Sequence, residues 1–223
     1  MSVLDWLSEN TFVISLPHRE DRRESVRKQL ASIGHSSYEV FDAYGAYQGN
    51  GMTGWWGNKL SHYSVIDRAK RAGLKSVMVF EDDVVLHPGF TMIVRAAKEQ
   101  LSDGWDWLQF GGNHRFFGGV DMPASPIDGK PYWYGSDGLE QTTPNLARIR
   151  KMLTAHAYIA KESVYDFILD HALRSPLSID GFYAYEIHSR FKCYSVTPCV
   201  ATQAPGMNDI GNVYSDYRPY IGD

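Results

Sequence analysis

The chain has 223 residues, 43% of them hydrophobic and 22% charged, which suits a globular domain with a substantial core. Its formal net charge of −4 argues against a dedicated nucleic-acid binder. No stretch is long and apolar enough to span a bilayer, and the first residues carry acids where a secretory signal would be apolar. We therefore expect a cytosolic protein, at most peripheral to the cytosolic face of a membrane. Two cysteines, Cys193 and Cys199, are too few for a disulfide scaffold and are expected to be free thiols.

Hydrophobic periodicity predicts alternating strands and helices, which is typical of an α/β sheet. Strands are predicted at residues 11–16, 38–43, 105–110, 154–160, 191–196 and 199–202, and another within 75–88. Helices are predicted at 21–33, 58–72, 163–173 and 178–190, and one that His87 and Pro88 open. Residues 115–144 are irregular and should form a long loop or short hairpins. The tail from about 205 is expected either to fold over the site or to extend away from it. We expect one domain over residues 1–223.

The stretch Lys75–Pro88 is the one around which we expect the chain to be organised. A valine-rich run suited to a strand buried on both faces leads into three consecutive acids, Glu81, Asp82 and Asp83. Side chains alternate along a strand, so Glu81 and Asp83 should share one side and Asp82 should take the other. Adjacent anions resist burial, and Mg²⁺ or Mn²⁺ would relieve their repulsion because both prefer hard oxygen ligands.

A plainer interpretation stays open for the three acids. Acidic residues often end a strand because the chain is reaching water, and Asp is common in turns. The position of the acids favours a site, because ligands of open α/β sheets bind at the carboxyl ends of strands.

Several motifs occur in an order that resembles glycosyltransferase family 25. The motifs are FVISLPHREDRR at 12–23, Phe41-Asp42-Ala43, GNKLSHY at 57–63, VFEDDVVL at 79–86, TAHAYIA at 154–160, SID at 178–180 and PCVATQ at 198–203. Residues 115–144 and the pair Trp55-Trp56 have no counterpart, so we expect the irregular segment and the tail to lie on the acceptor side.

The resemblance implies a GT-A-like (Rossmann-like) α/β fold with a mixed, mostly parallel sheet flanked by helices. It also implies inverting, metal-dependent transfer of a hexose, galactose or glucose, from a UDP-sugar to an acceptor hydroxyl. Asp83 would hold Mn²⁺ or Mg²⁺, with Glu81 binding it through water or contacting the ribose. The cation would stabilise the charge of the diphosphate leaving group.

Donor-binding candidates follow from the same motifs. They are Leu16, Arg19, Arg23, Asp42, Ser61, His62 and Asp82. Ser61 and His62 are predicted in the first turn of a helix, where an anion would be favoured. The alternatives are a hydrogen bond of Ser61 within the helix start and packing of His62 against the sheet; for Arg19 and Arg23 the alternative is a solvated helix face.

Inverting transfer needs a general base. Asp180 matches the family's acid after the late helix, and Glu186 is the reserve, although Asp180 is equally suited to a helix N-cap. Asn113, His156 and Gln203 are candidates for sugar or acceptor contacts, and His156 and His188 for a further metal or donor contact.

Two other functions remain open at this point. A nucleotidyltransferase also holds a metal on strand-end acids, and a non-catalytic nucleotide- or carbohydrate-binding domain could keep the same fold. The acceptor is undetermined by the sequence: a glycan, a lipid-linked glycan, a protein side chain or another hydroxyl would serve, with nucleic acid disfavoured by the acidic balance.

Overall fold

An eight-stranded mixed sheet forms the centre of the computed structural model, which describes residues 3–45, 53–115, 124–130, 137–207, 209–210 and 214–216. The strand order is β2-β1-β3-β8-β5-β9-β7-β6. The strands are β1 (Asn10–Ser15), β2 (Glu39–Asp42), β3 (Ser76–Glu81), β5 (Trp107–Gln109), β6 (Leu139–Thr143), β7 (Leu146–Ile149), β8 (Ala157–Lys161) and β9 (Cys193–Val196). Within this sheet only β8 and β7 run against the other six strands.

Helices cover both faces of this sheet. They are α1 (Glu20–Ser32), α2 (Gly54–Arg71), α3 (Phe90–Gln100), α4 (Glu162–His171) and α5 (Ile179–Phe182), with short 3-10 turns at Val3–Trp6 and Ala172–Arg174. After α5 the chain continues as a π-helical stretch, Tyr183–Ile187. One core contains side chains of α2, α4 and α5, and the other contains side chains of α1 and α3. This architecture confirms the predicted α/β fold, a mixed, mostly parallel sheet flanked by helices.

Strand β3 shows why the chain folds in three layers. Val77 and Val79 enter the core under α2 and α4, whereas Met78 and Phe80 enter the core under α1 and α3. All four side chains are fully buried. Burial of one such side chain contributes about 1.5–3 kcal/mol, so the strand stabilises both layers at once.

The chain leaves the main sheet immediately after Glu81. The segment Lys75–Pro88 is therefore not one strand: Asp82 and Asp83 form a turn, and β4 (Val84–Leu86) pairs with β10 (Ala201–Gln203) in a separate antiparallel sheet. A third small sheet joins β11 (Gly206–Met207) to β12 (Tyr214–Ser215).

Other elements differ from the prediction at their ends. Helix α2 begins at Gly54, four residues before the predicted start, because Thr53 caps it: Trp56 N donates to Thr53 Oγ1 at 3.3 Å. Pro88 precedes α3 instead of opening it, since Gly89 is the N-cap. The hairpin of β6 and β7 falls partly in the predicted irregular segment, and β7 was missed. Both cysteines are free.

His188 is buried in the core against Trp107, with ring centroids 6.0 Å apart. In the part of the chain that the structure describes, neither ring nitrogen has a hydrogen-bond partner. Burial, reinforced by the positive charge of Arg148, lowers the pKa of His188 to about 3. Its predicted role as a metal or donor contact has no support from this position.

We expect the pH dependence of stability to reveal this buried imidazole. Unfolded His188 gains a proton below about pH 6.5, whereas the folded form stays neutral, so its contribution to stability falls as the pH drops. The loss should be about 1 kcal/mol per pH unit between pH 6 and 4 and should be absent in His188→Leu. Urea denaturation at pH 7, 6 and 5 measures it, with the exposed His18→Leu as the control. Parallel pH profiles for the wild type and His188→Leu would contradict the assignment.

Candidate functional site

A cleft of about 250 Å³ opens where β1 and β3 end and where the chain leaves β2. The register pairs Ile14 with Glu81 and Ser15 with Asp42, so the carboxyl ends of three parallel strands meet at this edge. Seven predicted site residues line the cleft: Leu16, Glu81, Asp82, Asp83, Asn113, Asp180 and Gln203. Lining residues that the sequence analysis did not select include Arg22, Tyr44, Asn58, Thr154 and Asp209.

The three acids point to two different environments, as strand alternation predicted. Glu81 and Asp83 converge on Gln203, whose Nε2 lies 3.4 Å from Glu81 Oε2 and 3.4 Å from both carboxylate oxygens of Asp83. Asp82 turns the other way and accepts hydrogen bonds from Ser15 Oγ at 2.6 Å and Arg22 Nη1 at 3.1 Å. Only the first pair is therefore arranged to share one ligand.

Groups on the side of Glu81 away from the cleft stabilise its ionised carboxylate. Its Oε1 lies 3.1 Å from His62 Nε2 and accepts from Asn58 Nδ2 at 3.3 Å. Burial opposes ionisation, but the hydrogen bond with His62 outweighs it, and the pKa of Glu81 lies below its usual range. Oxygen Oε2 faces Gln203 and the cleft.

The pKa of Asp83 is shifted in the opposite direction from that of Glu81. Burial, followed by the neighbouring negative charge of Glu81, raises the pKa of Asp83 to about 7, and the Arg22 guanidinium 3.7 Å away only partly offsets this. Burial likewise raises the pKa of Asp82. The site thus has an excess of negative charge that its own cations do not neutralise.

The donor set suits a hard divalent cation. Besides the two carboxylates, the side-chain oxygen of Gln203 is buried and has no hydrogen-bond partner among the described residues. Rotation of this amide would present that oxygen to the point where its nitrogen now contacts both acids. Three oxygen donors of this kind are what Mg²⁺ or Mn²⁺ prefers. Across the described ranges no three His, Cys, Asp or Glu side chains form a metal cluster, so water or phosphate oxygens would complete the coordination.

Arg22 is the cationic side chain that sequence reasoning missed. It contacts Asp82, lies near Asp83, and donates from Nη2 to the Met207 carbonyl oxygen at 2.9 Å. The available signal was its place in the REDRR segment after β1, but periodicity alone did not show which arginine of that segment faces the sheet edge.

The neighbouring arginines, Arg19 and Arg23, are outside the described lining of the cleft. Arg19 forms ion pairs with Asp21 and Asp209. Arg23 donates to the Ser15 carbonyl oxygen at 3.1 Å and pairs with the predicted donor residue Asp42 at 2.6 Å. The carboxylate of Asp42 is largely exposed and is held by Arg23 rather than turned into the cleft.

Ser61 and His62 do not lie at a helix N-terminus, because α2 begins at Gly54 and both residues are in its interior. Ser61 Oγ donates to the Gly57 carbonyl oxygen at 2.8 Å and accepts from Tyr44 N at 2.9 Å. It thereby fixes the loop after β2, and His62 supports Glu81. Both are fully buried and belong to the structure behind the cleft.

His156 and Glu186, two further predicted site residues, are also fully buried and absent from the described cleft lining. His156 Nε2 lies 3.2 Å from the Ala201 carbonyl oxygen, and burial lowers the pKa of this imidazole. Glu186 accepts from Ser125 Oγ at 2.9 Å and forms an ion pair with Arg190 at 3.0 Å. This ion pair gives Glu186 a structural role, which weakens its case as the reserve base.

Asp180, in contrast, lines the cleft, and its carboxylate has no hydrogen bond or ion pair with the described residues. The N-cap of α5 is Ser178, whose Oγ accepts from Gly181 N at 3.2 Å, so capping does not account for Asp180. A carboxylate that no described residue engages, in the same cleft as Glu81 and Asp83, is available to accept a proton.

The tail contributes to the cleft through Asp209 and Ile210. Asp209 pairs with Arg19 and lies 3.6 Å from Arg22 Nη1. The described part of residues 115–144 does not line the cleft. The predicted acceptor side also includes residues 116–123 and 131–136, which lie outside the described residues. Among the helices described, none has the length and apolarity needed to cross a bilayer.

Comparison with known proteins gives matches in sequence and in fold. The sequence model of "Glycosyltransferase family 25 (LPS biosynthesis protein)" matches residues 8–114. Procollagen galactosyltransferase 1-A of Xenopus laevis is 26% identical over 189 residues, and the match covers 72% of this chain and 30% of the relative.

Two solved structures match this chain at low similarity. A197 from STIV has a TM-score of 0.45 and 11% identity, with 96% of this chain and 93% of that chain covered. A glycosyltransferase involved in glycosylation of the major capsid of PBCV-1 has a TM-score of 0.43 and 6% identity, with 85% and 93% covered.

The family match includes β1, β2, β3 and the acids that end β3, and it agrees with the motifs found in the sequence. The comparisons therefore support the resemblance: over residues 8–114 this chain is similar to glycosyltransferase family 25.

Proposed function

We propose that the protein transfers a hexose from a UDP-sugar to an acceptor hydroxyl, with inversion at the anomeric carbon and with the help of Mn²⁺ or Mg²⁺. The observation that carries the proposal is the convergence of Glu81, Asp83 and Gln203 on one point of a cleft that also holds a free carboxylate, Asp180. Galactose is the sugar to test first, because the curated relative is named a galactosyltransferase.

Glu81, Asp83 and Gln203 would hold the cation. The cation supplies positive charge beside the diphosphate as the bond to the sugar breaks. Arg22 adds a guanidinium to the same side of the cleft, where its positive charge would attract a phosphate group. The site thereby concentrates positive charge where the leaving group develops negative charge.

Asp180 is proposed as the general base. Its carboxylate accepts the proton of the acceptor hydroxyl while the hydroxyl oxygen attacks the anomeric carbon. The bond between that carbon and the diphosphate oxygen breaks in the same step, and the nucleoside diphosphate leaves. The lack of an ion pair between Asp180 and any described residue supports this role, because a carboxylate engaged in an ion pair would be a weaker base.

A screen of donors by thermal shift tests this function. UDP-galactose or UDP-glucose with Mn²⁺ should raise Tm, since saturation at about 100 times Kd adds about 2.7 kcal/mol. Chelation by EDTA and Asp83→Asn should abolish the shift, and Asp83→Asn should reduce donor hydrolysis roughly 100-fold or more. The exposed Asp103→Asn is the charge-matched control. Stabilisation by a nucleoside triphosphate alone would support a nucleotidyltransferase. Binding of a UDP-sugar without its hydrolysis or transfer would support a non-catalytic binding domain.

The base is tested by Asp180→Asn. We expect kcat for transfer to fall about 10²–10⁴-fold while the UDP-sugar and Mn²⁺ still bind, because the proton acceptor is lost and the donor contacts are kept. Glu186→Gln should instead lower Tm by disrupting its ion pair with Arg190 and leave turnover of the folded protein near wild type. A large loss of kcat in Glu186→Gln with normal turnover in Asp180→Asn would reverse the two roles.

The raised pKa of Asp83 predicts a dependence of stability on pH in the metal-free protein. Between the unfolded pKa near 3.8 and the folded pKa of about 7, the folded state binds more protons than the unfolded state, so stability falls as the pH rises. Asp83→Asn cannot ionise, so its stability relative to that of the wild type should rise between pH 5 and pH 8, on the order of 2 kcal/mol. Urea denaturation in EDTA measures the difference. If the difference in stability between Asp83→Asn and the wild type is the same at pH 5 and pH 8, the raised pKa of Asp83 is contradicted.

A further inference from the structure

A chain of buried hydrogen bonds runs from Glu81 into the core behind the cleft. His62 Nε2 lies 3.1 Å from Glu81 Oε1, and His62 Nδ1 lies 2.9 Å from Tyr158 Oη. Tyr158 Oη in turn lies 3.2 Å from Tyr183 Oη. His62, Tyr158 and Tyr183 are at most 2% exposed. Three elements, α2, β8 and the π-helical stretch, are thus connected to the acid that ends β3.

The carboxylate sets the direction of every hydrogen bond in this chain. An ionised carboxylate only accepts, so the proton between Glu81 and His62 belongs to Nε2. The tautomer with its proton on Nε2 leaves Nδ1 as an acceptor, to which the Tyr158 hydroxyl can donate at 2.9 Å. The Tyr158 oxygen remains available to accept from Tyr183. Every member of the chain is satisfied in this one arrangement.

Packing holds the rings in the positions that this arrangement requires. Tyr158 stacks on Trp107 with centroids 4.2 Å apart and an interplanar angle of 11°. His62 stacks against Tyr158 at 5.8 Å and meets the edge of Tyr183 at 6.2 Å. The imidazole therefore has little freedom to turn towards the cleft and meet a donor.

The two oxygens of Glu81 are used differently as a result. Asn58 and His62 are four residues apart on α2, so they share one helix face, and both contact Oε1. Oxygen Oε2 has its contact on the cleft side, with Gln203. The carboxylate is thus fixed in rotation, with one oxygen anchored and the other presented to the cleft.

We propose that His62 is a positioning residue for the cation site and does not contact the sugar donor. Its Nε2–H holds Glu81 Oε1 so that Oε2 faces the cation, and Tyr158 with Tyr183 fixes the tautomer that can donate. This inference rests on the proposed function in taking a divalent cation as the ligand of Glu81. It replaces the predicted role of His62 in donor binding.

The first test determines which nitrogen of His62 carries the proton. In ¹⁵N NMR spectra of the histidine-labelled protein, a buried histidine should have its proton on Nε2, with Nδ1 unprotonated, and the signal should vanish in His62→Gln. Tyr158→Phe should shift the Nδ1 resonance because that nitrogen loses its donor. A proton on Nδ1 in the wild type would overturn the hydrogen-bond chain.

The second test separates positioning from structural support. Titration calorimetry with Mn²⁺ should show about 10–100-fold weaker binding in His62→Leu than in the wild type. His62→Gln, whose amide N–H can replace Nε2–H, should recover most of the affinity, although both variants lose the same packing. The acceptor KM should stay unchanged, and His18→Leu serves as the surface control.

The outcomes distinguish this inference from the function on which it rests. Wild-type protein that binds neither Mn²⁺ nor a UDP-sugar would defeat both. Wild-type affinity for Mn²⁺ in His62→Leu, combined with a raised donor KM, would defeat the positioning role alone and restore a direct donor contact. Equal losses in His62→Leu and His62→Gln would also overturn it, because rescue by an amide donor is what the geometry requires.

Discussion

The structure depends on two like-charged carboxylates that β3 delivers to one point inside the protein. Glu81 and Asp83 cannot both be buried as anions without donors or cations around them. The helices on both faces of the sheet therefore contribute such groups. Helix α2 provides two hydrogen-bonding side chains, Asn58 and His62, and α1 provides a cation, Arg22. The protein neutralises this negative charge only in part, and the proposed cation would neutralise the rest.

The topology explains how distant segments reach this point. After Glu81 the chain leaves the main sheet, and β4 pairs with β10 from the other end of the sequence. That pairing places Gln203 against acids about 120 positions earlier. The π-helical stretch after α5 brings Tyr183 to the histidine behind Glu81, and α5 itself carries Asp180 into the cleft. The proposed cation half and the proposed base half of the site thus share one buried framework.

Much of this could be predicted from the sequence, because the signals are local. The apolar run before Glu81 identified β3, and the alternation of side chains correctly separated Asp82 from its two neighbours. What could not be predicted depends on long-range packing. Nothing local shows that Arg22 rather than Arg23 faces the acids, or that Glu186 is neutralised by an ion pair in the core. The start of α2 was missed because a threonine cap, and not hydrophobic periodicity, determines it.

Gly57 has a consequence for how mutational scans of this protein are interpreted. A Cβ atom there would lie 2.1 Å from the carbonyl oxygen of Tyr44, a clash between two backbones that no side-chain rotation relieves. Tyr44 forms part of the cleft wall, so even alanine at position 57 would push that wall out of place. A scan would then record a severe loss of activity at a residue that touches no substrate. Such a residue could be mistaken for part of the chemistry when its contribution is the absence of a side chain.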